Sequence, residues 1–169
     1  MRKEDRKTQE LCITAVITAM VFVVTRFIQI PIPLGYFNIG NTVILLACLL
    51  IPEPYGIFAS SFGSALADLL SYPIYAIPTL LIKFLMPLVF YRLTKKGTDA
   101  KIGRKGAAAI ATLIPLFGYT VTGMIIYGSV YTGLSQFPGL VLEYTANLLL
   151  FSLAQVYVVK MRGAARESH

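Results

Sequence analysis

Long apolar runs, separated by short polar or proline-containing breaks, dominate the chain. Six of them approach the roughly 20 residues that an α-helix needs to cross about 30 Å of hydrocarbon. They cover about residues 9–30, 36–51, 54–71, 73–92, 107–131 and 137–160. The alternating ten-residue pattern of an outer-membrane β-barrel is absent. The pattern predicts an all-α, polytopic membrane protein with six transmembrane helices, in which residues 1–169 form a single membrane domain.

Basic residues form three clusters that predict the orientation of these helices. Lys and Arg collect in cytoplasmic loops, and here they precede helix 1, fill the linker 93–106 after helix 4 and follow helix 6. Six helices with both termini in the cytoplasm place all three clusters on that side of a cytoplasmic membrane. The net charge of +7 therefore reflects topology. Nucleic-acid binding is not favoured, because no aromatic residues interleave the clusters.

Four ionisable residues interrupt the apolar runs, namely Arg26, Asp68, Lys83 and Glu143. An ionised side chain at the bilayer centre costs about 2.5 to 3.5 kcal/mol on insertion scales, so these residues need partners or water. Two positive and two negative charges suit internal pairing. Helix rise places three of the four in the outer half of the membrane, with Lys83 near the midplane. We expect a polar cavity that is open to the outside and has its floor near Lys83.

The loop after helix 1, PIPLGYFNIGN at residues 31–41, holds two prolines and two glycines and cannot be a regular helix throughout. Irregular backbone at membrane depth is tolerated where it is buried in protein or lines a cavity. Tyr36, Asn38 and Asn41 are therefore candidates for a lid or a cavity wall. Capping of the next helix by Asn38 or Asn41 explains the same residues equally well.

Other polar positions share helix faces with these charges. Tyr75, Thr79 and Lys83 follow one another at intervals of four residues, and Glu143 and Asn147 lie one turn apart. Tyr131 is either an interfacial anchor or a residue at the mouth of the cavity.

Small residues on helix 1 predict a surface for close helix contact. Ala15 and Ala19, one turn apart, form a smooth strip along which another helix can approach closely. From spacing alone, packing within this same protein is the favoured interpretation.

The sequence lacks the motifs of several enzyme classes. It contains no GxxxxGK[ST] loop, no HExxH and no GxSxG, and its single histidine is the last residue. We predict no catalytic residue and no metal site. Asp68, Lys83 and Glu143 suit binding at least as well as catalysis. A stand-alone proton-coupled carrier that uses Asp68 and Glu143 is the alternative function, and an intramembrane enzyme acting on lipid is a weaker one.

Three segments, GYFNIGNTVILLACLL, YGIFASSFGSALADLL and PTLLIKFLM, resemble the substrate-binding S component of energy-coupling-factor (ECF) vitamin transporters. Within that family they are most similar to the subgroup of hydroxymethylpyrimidine and pyridoxine carriers. The resemblance covers residues 35–91 well and the other helices more loosely. It implies a vitamin captured from outside under a mobile first loop.

The resemblance also implies partner proteins. These are a membrane coupling subunit, the T component, and two ABC ATPases that use ATP and Mg, so that this chain itself binds no cofactor. It further implies that Ala15 and Ala19 contact the coupling subunit, which raises that interpretation above packing within the chain.

The sequence departs from relatives at two positions and lacks one residue type. Asn41 stands where relatives often carry Asp, and Pro87 stands where Gly is common. Thiamine-binding relatives stack their ligand on tryptophan, and this chain has none. We expect instead a small pyridine or pyrimidine alcohol, stacked on Tyr36, Tyr75 or Tyr131. Its polar groups would meet a set of side chains formed by Asn38, Asn41, Asp68, Thr79, Lys83, Glu143 and Asn147.

Overall fold

The structure is a computed structural model that describes residues 3–32, 34–95 and 103–167, with side chains at 7–32, 34–95 and 103–160. Residues 96–102 of the predicted linker and the terminal residues 1–2 and 168–169 lie outside the described ranges. The elements, in chain order, are α1 (Lys3–Phe27), β1 (Ile30–Ile32), β2 (Gly35–Phe37), α2 (Gly40–Leu50), α3 (Glu53–Ser71), a 3₁₀ turn (Pro73–Tyr75), α4 (Ala76–Thr94), α5 (Arg104–Tyr127), α6 (Val130–Ser135) and α7 (Phe137–Glu167).

Six of these helices correspond to the six apolar runs. Four stretches are long and apolar enough to cross a membrane, namely Lys7–Phe27, Pro73–Thr94, Arg104–Tyr127 and Val130–Lys160. The helix α3 has 19 residues, but its serines and Asp68 make it more polar, and α2 is a shorter apolar helix. The six-helix, all-α prediction is confirmed by this arrangement.

The short helix α6 is an addition that the sequence pattern did not predict. The predicted fifth helix continued to residue 131, whereas α5 ends at Tyr127. Gly128 has φ +62°, a left-handed conformation that glycine adopts without steric cost and that commonly terminates helices. The hydroxyl of Ser129 then accepts a hydrogen bond from the Thr132 N–H and starts α6.

Helix α2 occupies the centre of the bundle. The helices α1, α3, α4, α5 and α7 pack against one another in that order, and α2 contacts α1, α3, α4 and α7. Eight of its 11 residues are buried. Around its lower part, Phe90 of α4 and Phe151 of α7 meet edge to face at 6.0 Å, and both are fully buried.

This central helix is too short to cross a membrane. Eleven residues rise about 16 Å, roughly half of the 30 Å hydrocarbon core. The loop that the sequence marked as irregular precedes this helix and forms a two-stranded antiparallel hairpin above the cavity. Ile30 pairs with Phe37, Pro31 with Tyr36 and Ile32 with Gly35. Residues 36 and 37, predicted to start the second helix, belong instead to strand β2.

The helices α1 and α3 run parallel and pack closely through Gly63. A Cβ atom at position 63 would lie 2.7 Å from the Thr18 carbonyl oxygen and 3.0 Å from Val21 Cβ. At the far end of the same pair, the Gln29 side-chain amide donates a hydrogen bond of 3.0 Å to the Ser71 hydroxyl. Gly63 therefore fixes how near the two backbones can come.

We expect Gly63→Ala to lower stability by about 1 to 3 kcal/mol, because the new methyl group meets backbone that cannot turn away. The fall in Tm of the purified protein in detergent measures this. Gly103→Ala is the control, since a Cβ there meets nothing within 4 Å and Ala at this helix start costs only about 0.5 kcal/mol. Equal Tm values for the two variants would contradict the close α1–α3 contact.

Candidate functional site

A cavity lies beneath the β-hairpin. It is bounded by the helices α1, α3, α4, α5 and α7. Its empty volume is about 490 Å³, including its open mouth. Because α2 begins at Gly40, deep in the bundle, no helix fills this space. The lining residues are Thr25, Ile32, Leu34, Gly35, Tyr36, Asn38, Ser64, Asp68, Tyr72, Tyr75, Thr79, Lys83, Tyr119, Gln136, Leu140 and Glu143.

Asp68 is the centre of a hydrogen-bonded chain on one side of the cavity. Its two carboxylate oxygens accept hydrogen bonds from the Tyr36 and Thr79 hydroxyls. The Thr79 hydroxyl is also 3.1 Å from the Tyr119 hydroxyl. The Tyr36 phenol is the donor in the first of these bonds, because a carboxylate oxygen can only accept. The chain connects the hairpin to α3, α4 and α5.

Lys83 and Glu143 are joined through the side-chain amide of Asn41. The Lys83 ammonium donates to Asn41 Oδ1, and Asn41 Nδ2 donates to Glu143 Oε1 at 3.0 Å. Among the described residues, no carboxylate oxygen lies within 4.0 Å of Lys83 Nζ, which is 5.6 Å from the centroid of the Tyr119 ring. The amide at position 41 suits this bridge, because a carboxylate there would have no proton to donate to Glu143.

Asn147 does not line the cavity but holds neighbouring backbone in place through hydrogen bonds. Its Oδ1 accepts hydrogen bonds of 2.8 Å from both the N–H and the hydroxyl of Thr42, at the start of α2. Its Nδ2 donates 2.9 Å hydrogen bonds to the carbonyls of Asn38 and Glu143. The side chain uses its full hydrogen-bonding capacity within the protein, so Asn147 positions the loop and α2.

The structure brings most of the predicted site residues together. Seven of them line the cavity: Tyr36, Asn38, Asp68, Tyr75, Thr79, Lys83 and Glu143. Asn41 borders a smaller adjoining cavity of about 190 Å³, which shares Tyr119, Leu140 and Glu143 with the first. Tyr131 does not join them. It lies on α6, beyond the break at Gly128, and is 89% exposed.

Arg26, the fourth predicted intramembrane charge, also lies apart from the cavity. Its guanidinium is 5.8 Å from the ring centroid of the neighbouring Phe27. The lining therefore contains one cation, Lys83, and two carboxyl groups. Across residues 3–32, 34–95 and 103–167, no three His, Cys, Asp or Glu side chains come together as possible metal ligands.

Five polar or aromatic lining residues were not among the sequence-based candidates: Thr25, Ser64, Tyr72, Tyr119 and Gln136. Ser64 lies in a row of small residues that indicates helix packing, and Tyr119 fits an interfacial anchor, so neither pattern pointed to a cavity. The buried hydroxyls of Thr25, Ser64 and Tyr75 have no hydrogen-bond partner among the described residues.

Comparison with known proteins identifies the family. Residues 5–159 match the family described as ECF-type riboflavin transporter, S component. The chain belongs to this family of ECF S components. An uncharacterized protein in the gap 3'region of Pyrococcus woesei is 34% identical to this S component over 110 residues, which are 64% of this chain and 74% of that protein.

The fold of this S component is shared with a solved structure. That structure is described as "Structure and mechanism of the S component of a bacterial ECF transporter". The similarity has a TM-score of 0.68 and covers 92% of this chain and 98% of the other, at 20% sequence identity. The resemblance read from residues 35–91 is thus confirmed at the level of the family. The hydroxymethylpyrimidine and pyridoxine subgroup stays a prediction.

The S component exposes the small-residue strip of α1. Ala15 and Ala19 are both exposed, whereas every other alanine with a described side chain is buried or half-buried. The contact of α1 with α3 instead passes through Thr18 and Val21. The strip is therefore available to lipid or to another protein, and packing within the chain does not explain it.

Proposed function

We propose that this S component is the high-affinity vitamin-binding subunit of an ECF-type ABC importer in the cytoplasmic membrane. It captures a small water-soluble vitamin from outside and delivers it when the partner ATPases drive its reorientation. One observation supports this most strongly. Asp68, Lys83 and Glu143 are at most 4% exposed, yet all three line one cavity beneath the hairpin. Buried charges in a membrane protein mark substrate sites by default.

The cavity walls favour an aromatic heterocycle with polar substituents. Tyr36 and Tyr72 lie with ring centroids 5.6 Å apart, and Tyr75 and Tyr119 with centroids 6.4 Å apart. Such rings present flat apolar faces to a planar ligand, while a few charged groups fix its orientation. Pyridoxine and hydroxymethylpyrimidine, each a single ring with at least one hydroxyl group, are the proposed cargo.

Riboflavin is the second candidate for the cargo, because it is the vitamin in the name of the matching family. Its fused rings and ribityl chain need more room than one pyridine ring. The adjoining cavity, which shares Tyr119, Leu140 and Glu143 with the main one, offers that room if the partition between the two cavities moves.

Calorimetric titration of the purified protein in detergent tests the proposal. The panel is pyridoxine, hydroxymethylpyrimidine, riboflavin, pantothenate and thiamine. Tight binding of one compound would support a capture subunit and name its cargo. A folded protein that binds none of them would contradict the proposal.

The proposed partners are a T component and two ABC ATPases, with Ala15 and Ala19 on the contact surface. We expect Ala15→Leu combined with Ala19→Leu to leave ligand affinity unchanged, because neither residue lines the cavity. ATP-dependent uptake should fall at least about tenfold, since the larger side chains prevent close helix approach. Both quantities are measured with the assembled transporter in vesicles.

Val156→Leu on α7 is the control for this experiment, because Val156 is also exposed but lies on another helix. Normal ATP-dependent uptake by the variant that combines Ala15→Leu and Ala19→Leu would exclude the strip as the contact surface. Uptake by this chain alone in ATP-free vesicles, driven by a pH gradient, would instead favour a proton-coupled carrier.

A further inference from the structure

We infer that Thr25 and Ser64 form a hydroxyl-binding subsite within the cavity, which recognises neutral alcohol groups of the ligand. The inference rests on the proposed function, since it concerns how the captured vitamin is recognised. It assigns ligand contacts to α1 and α3, in addition to the charged groups.

Both residues are buried and line the cavity. Thr25 is 3% exposed and Ser64 is 0% exposed. Neither hydroxyl oxygen has a hydrogen-bond partner among the residues that the structure describes. A buried, unpartnered polar group destabilises the unliganded protein, because it has lost its hydrogen bonds to water. A ligand that supplies the missing partner would recover those bonds.

The behaviour of other helical hydroxyls in this chain shows that the two residues are exceptional. Buried Ser and Thr in helices ordinarily donate to the carbonyl three or four residues earlier. Ser61 does so to Ile57 at 2.7 Å, and Thr120 does so to Leu116 at 2.8 Å. Thr25 and Ser64 lie within α1 and α3, where carbonyl groups three and four residues earlier are also within reach. Neither hydroxyl donates a hydrogen bond to them.

Thr25 and Ser64 lie on two helices that pack closely against each other. Gly63 contacts α1 at Thr18 and Val21, and Gln29 bonds to Ser71, so Ser64 lies about one turn deeper than Thr25. One turn of packed parallel helices separates the two hydroxyls by about 5 Å along the helix axes. A ligand with two alcohol groups, or with one alcohol and one ring heteroatom, could engage both.

The kind of ligand group follows from the chemistry of the hydroxyl. Ser and Thr each offer one donor and two acceptor lone pairs, so their best partner also donates and accepts. An alcohol does both. Anionic groups are matched by Lys83 instead, and proton donors by Asp68 and Glu143. The Tyr75 hydroxyl meets no strict hydrogen-bond criterion, but the polar side chains of Tyr127 and Gln136 lie near it, so the inference rests on Thr25 and Ser64 alone.

The test compares Thr25→Val and Ser64→Ala with two matched controls, Thr120→Val and Ser61→Ala. Both controls remove a buried hydroxyl that is already bonded within its own helix. The probes are three pairs that differ in hydroxyl groups: pyridoxine and deoxypyridoxine, hydroxymethylpyrimidine and its dimethyl analogue, and riboflavin and lumiflavin. Affinity is measured by calorimetry and stability by the Tm of the unliganded protein.

We expect each cavity substitution to weaken binding of the hydroxyl-bearing probe by about 3- to 10-fold, the worth of one net hydrogen bond. For at least one probe pair, affinity for the partner with fewer hydroxyl groups should not change, and Tm without ligand should stay the same or rise. The controls should behave oppositely, with a lower Tm and unchanged affinity. If Thr25 and Ser64 had only a structural role, their substitution would lower the Tm and would weaken binding of both members of a probe pair.

Two results would overturn the subsite. Unchanged affinity in both cavity variants would do so, as would equal losses for both members of a probe pair. In either case the wild-type protein still binds a vitamin, so the proposed function stands. If the folded wild-type protein binds no probe, the proposed function fails and the subsite fails with it.

Discussion

Replacing Lys83 by methionine is expected to weaken vitamin binding by at least about 100-fold and to destabilise the unliganded protein. Lys83 is 2% exposed and provides the cation of the cavity, while Asp68 and Glu143 provide two carboxyl groups. Removing one member of a buried charged set costs about 3 to 5 kcal/mol, because its partners stay buried without compensation. Methionine has a similar length and no charge, so packing around it changes little.

Affinity by calorimetry and Tm without ligand measure the effect of Lys83→Met. Lys95→Met is the matched control, because Lys95 follows the same helix but is exposed. The double variant Lys83→Met with Glu143→Gln should regain part of the lost Tm, since it removes an uncompensated carboxylate, and should not regain affinity. A Tm that is the same in the single and double variants would show that the two charges are not coupled.

Asp68→Ala is expected to reduce affinity by about 100-fold, mainly through faster dissociation. The Asp68 carboxylate accepts hydrogen bonds from Tyr36 on the hairpin and from Thr79 on α4. Hydrogen bonds to charged groups contribute about 1.5 to 3 kcal/mol each, and alanine removes both. Without them the hairpin is held to α3 and α4 less firmly and opens more often.

Dissociation rates and hydrogen exchange of the backbone at residues 30–37 test this account. Tyr36→Phe removes only the bond from the hairpin, so its effect should be smaller, about 10-fold in dissociation rate. Tyr157→Phe, on the exposed face of α7, should leave both measurements unchanged. Unaltered exchange at the hairpin in Asp68→Ala would mean that Asp68 does not hold it closed.

The helix count and the buried charges were predictable from sequence because they depend on composition along single segments. A run of about 20 apolar residues requires a membrane or a core, and an ionisable residue within it requires partners. Asp68, Lys83 and Glu143 could therefore be singled out without knowing what they touch. Their bridging by Asn41 was not predictable, because it joins residues 102 positions apart in the sequence.

The rest of the site depends on three-dimensional context. Strand β2 forms because Gly35–Phe37 pairs with Ile30–Ile32, and an apolar stretch this short is equally compatible with the start of a helix. Tyr131 lies away from the cavity because one left-handed residue, Gly128, ends α5 early. Thr25 and Ser64 look like any other helical hydroxyls in the sequence. Only the side-chain rotamer and the neighbours decide whether such a group bonds to its own helix.

The short length of α2 limits the depth of the space in which a ligand can bind. The helix leaves about 14 Å of the hydrocarbon thickness unfilled along its own axis, and the ligand and hairpin must share that depth. Lengthening α2 by one turn at Gly40 would remove about 5 Å of it, whereas a longer hairpin would alter the cover and leave the lower core around Phe90 and Phe151 intact. The length of one central helix therefore sets the depth that is left for a ligand, and changing that length leaves the outer surface of the surrounding helices the same.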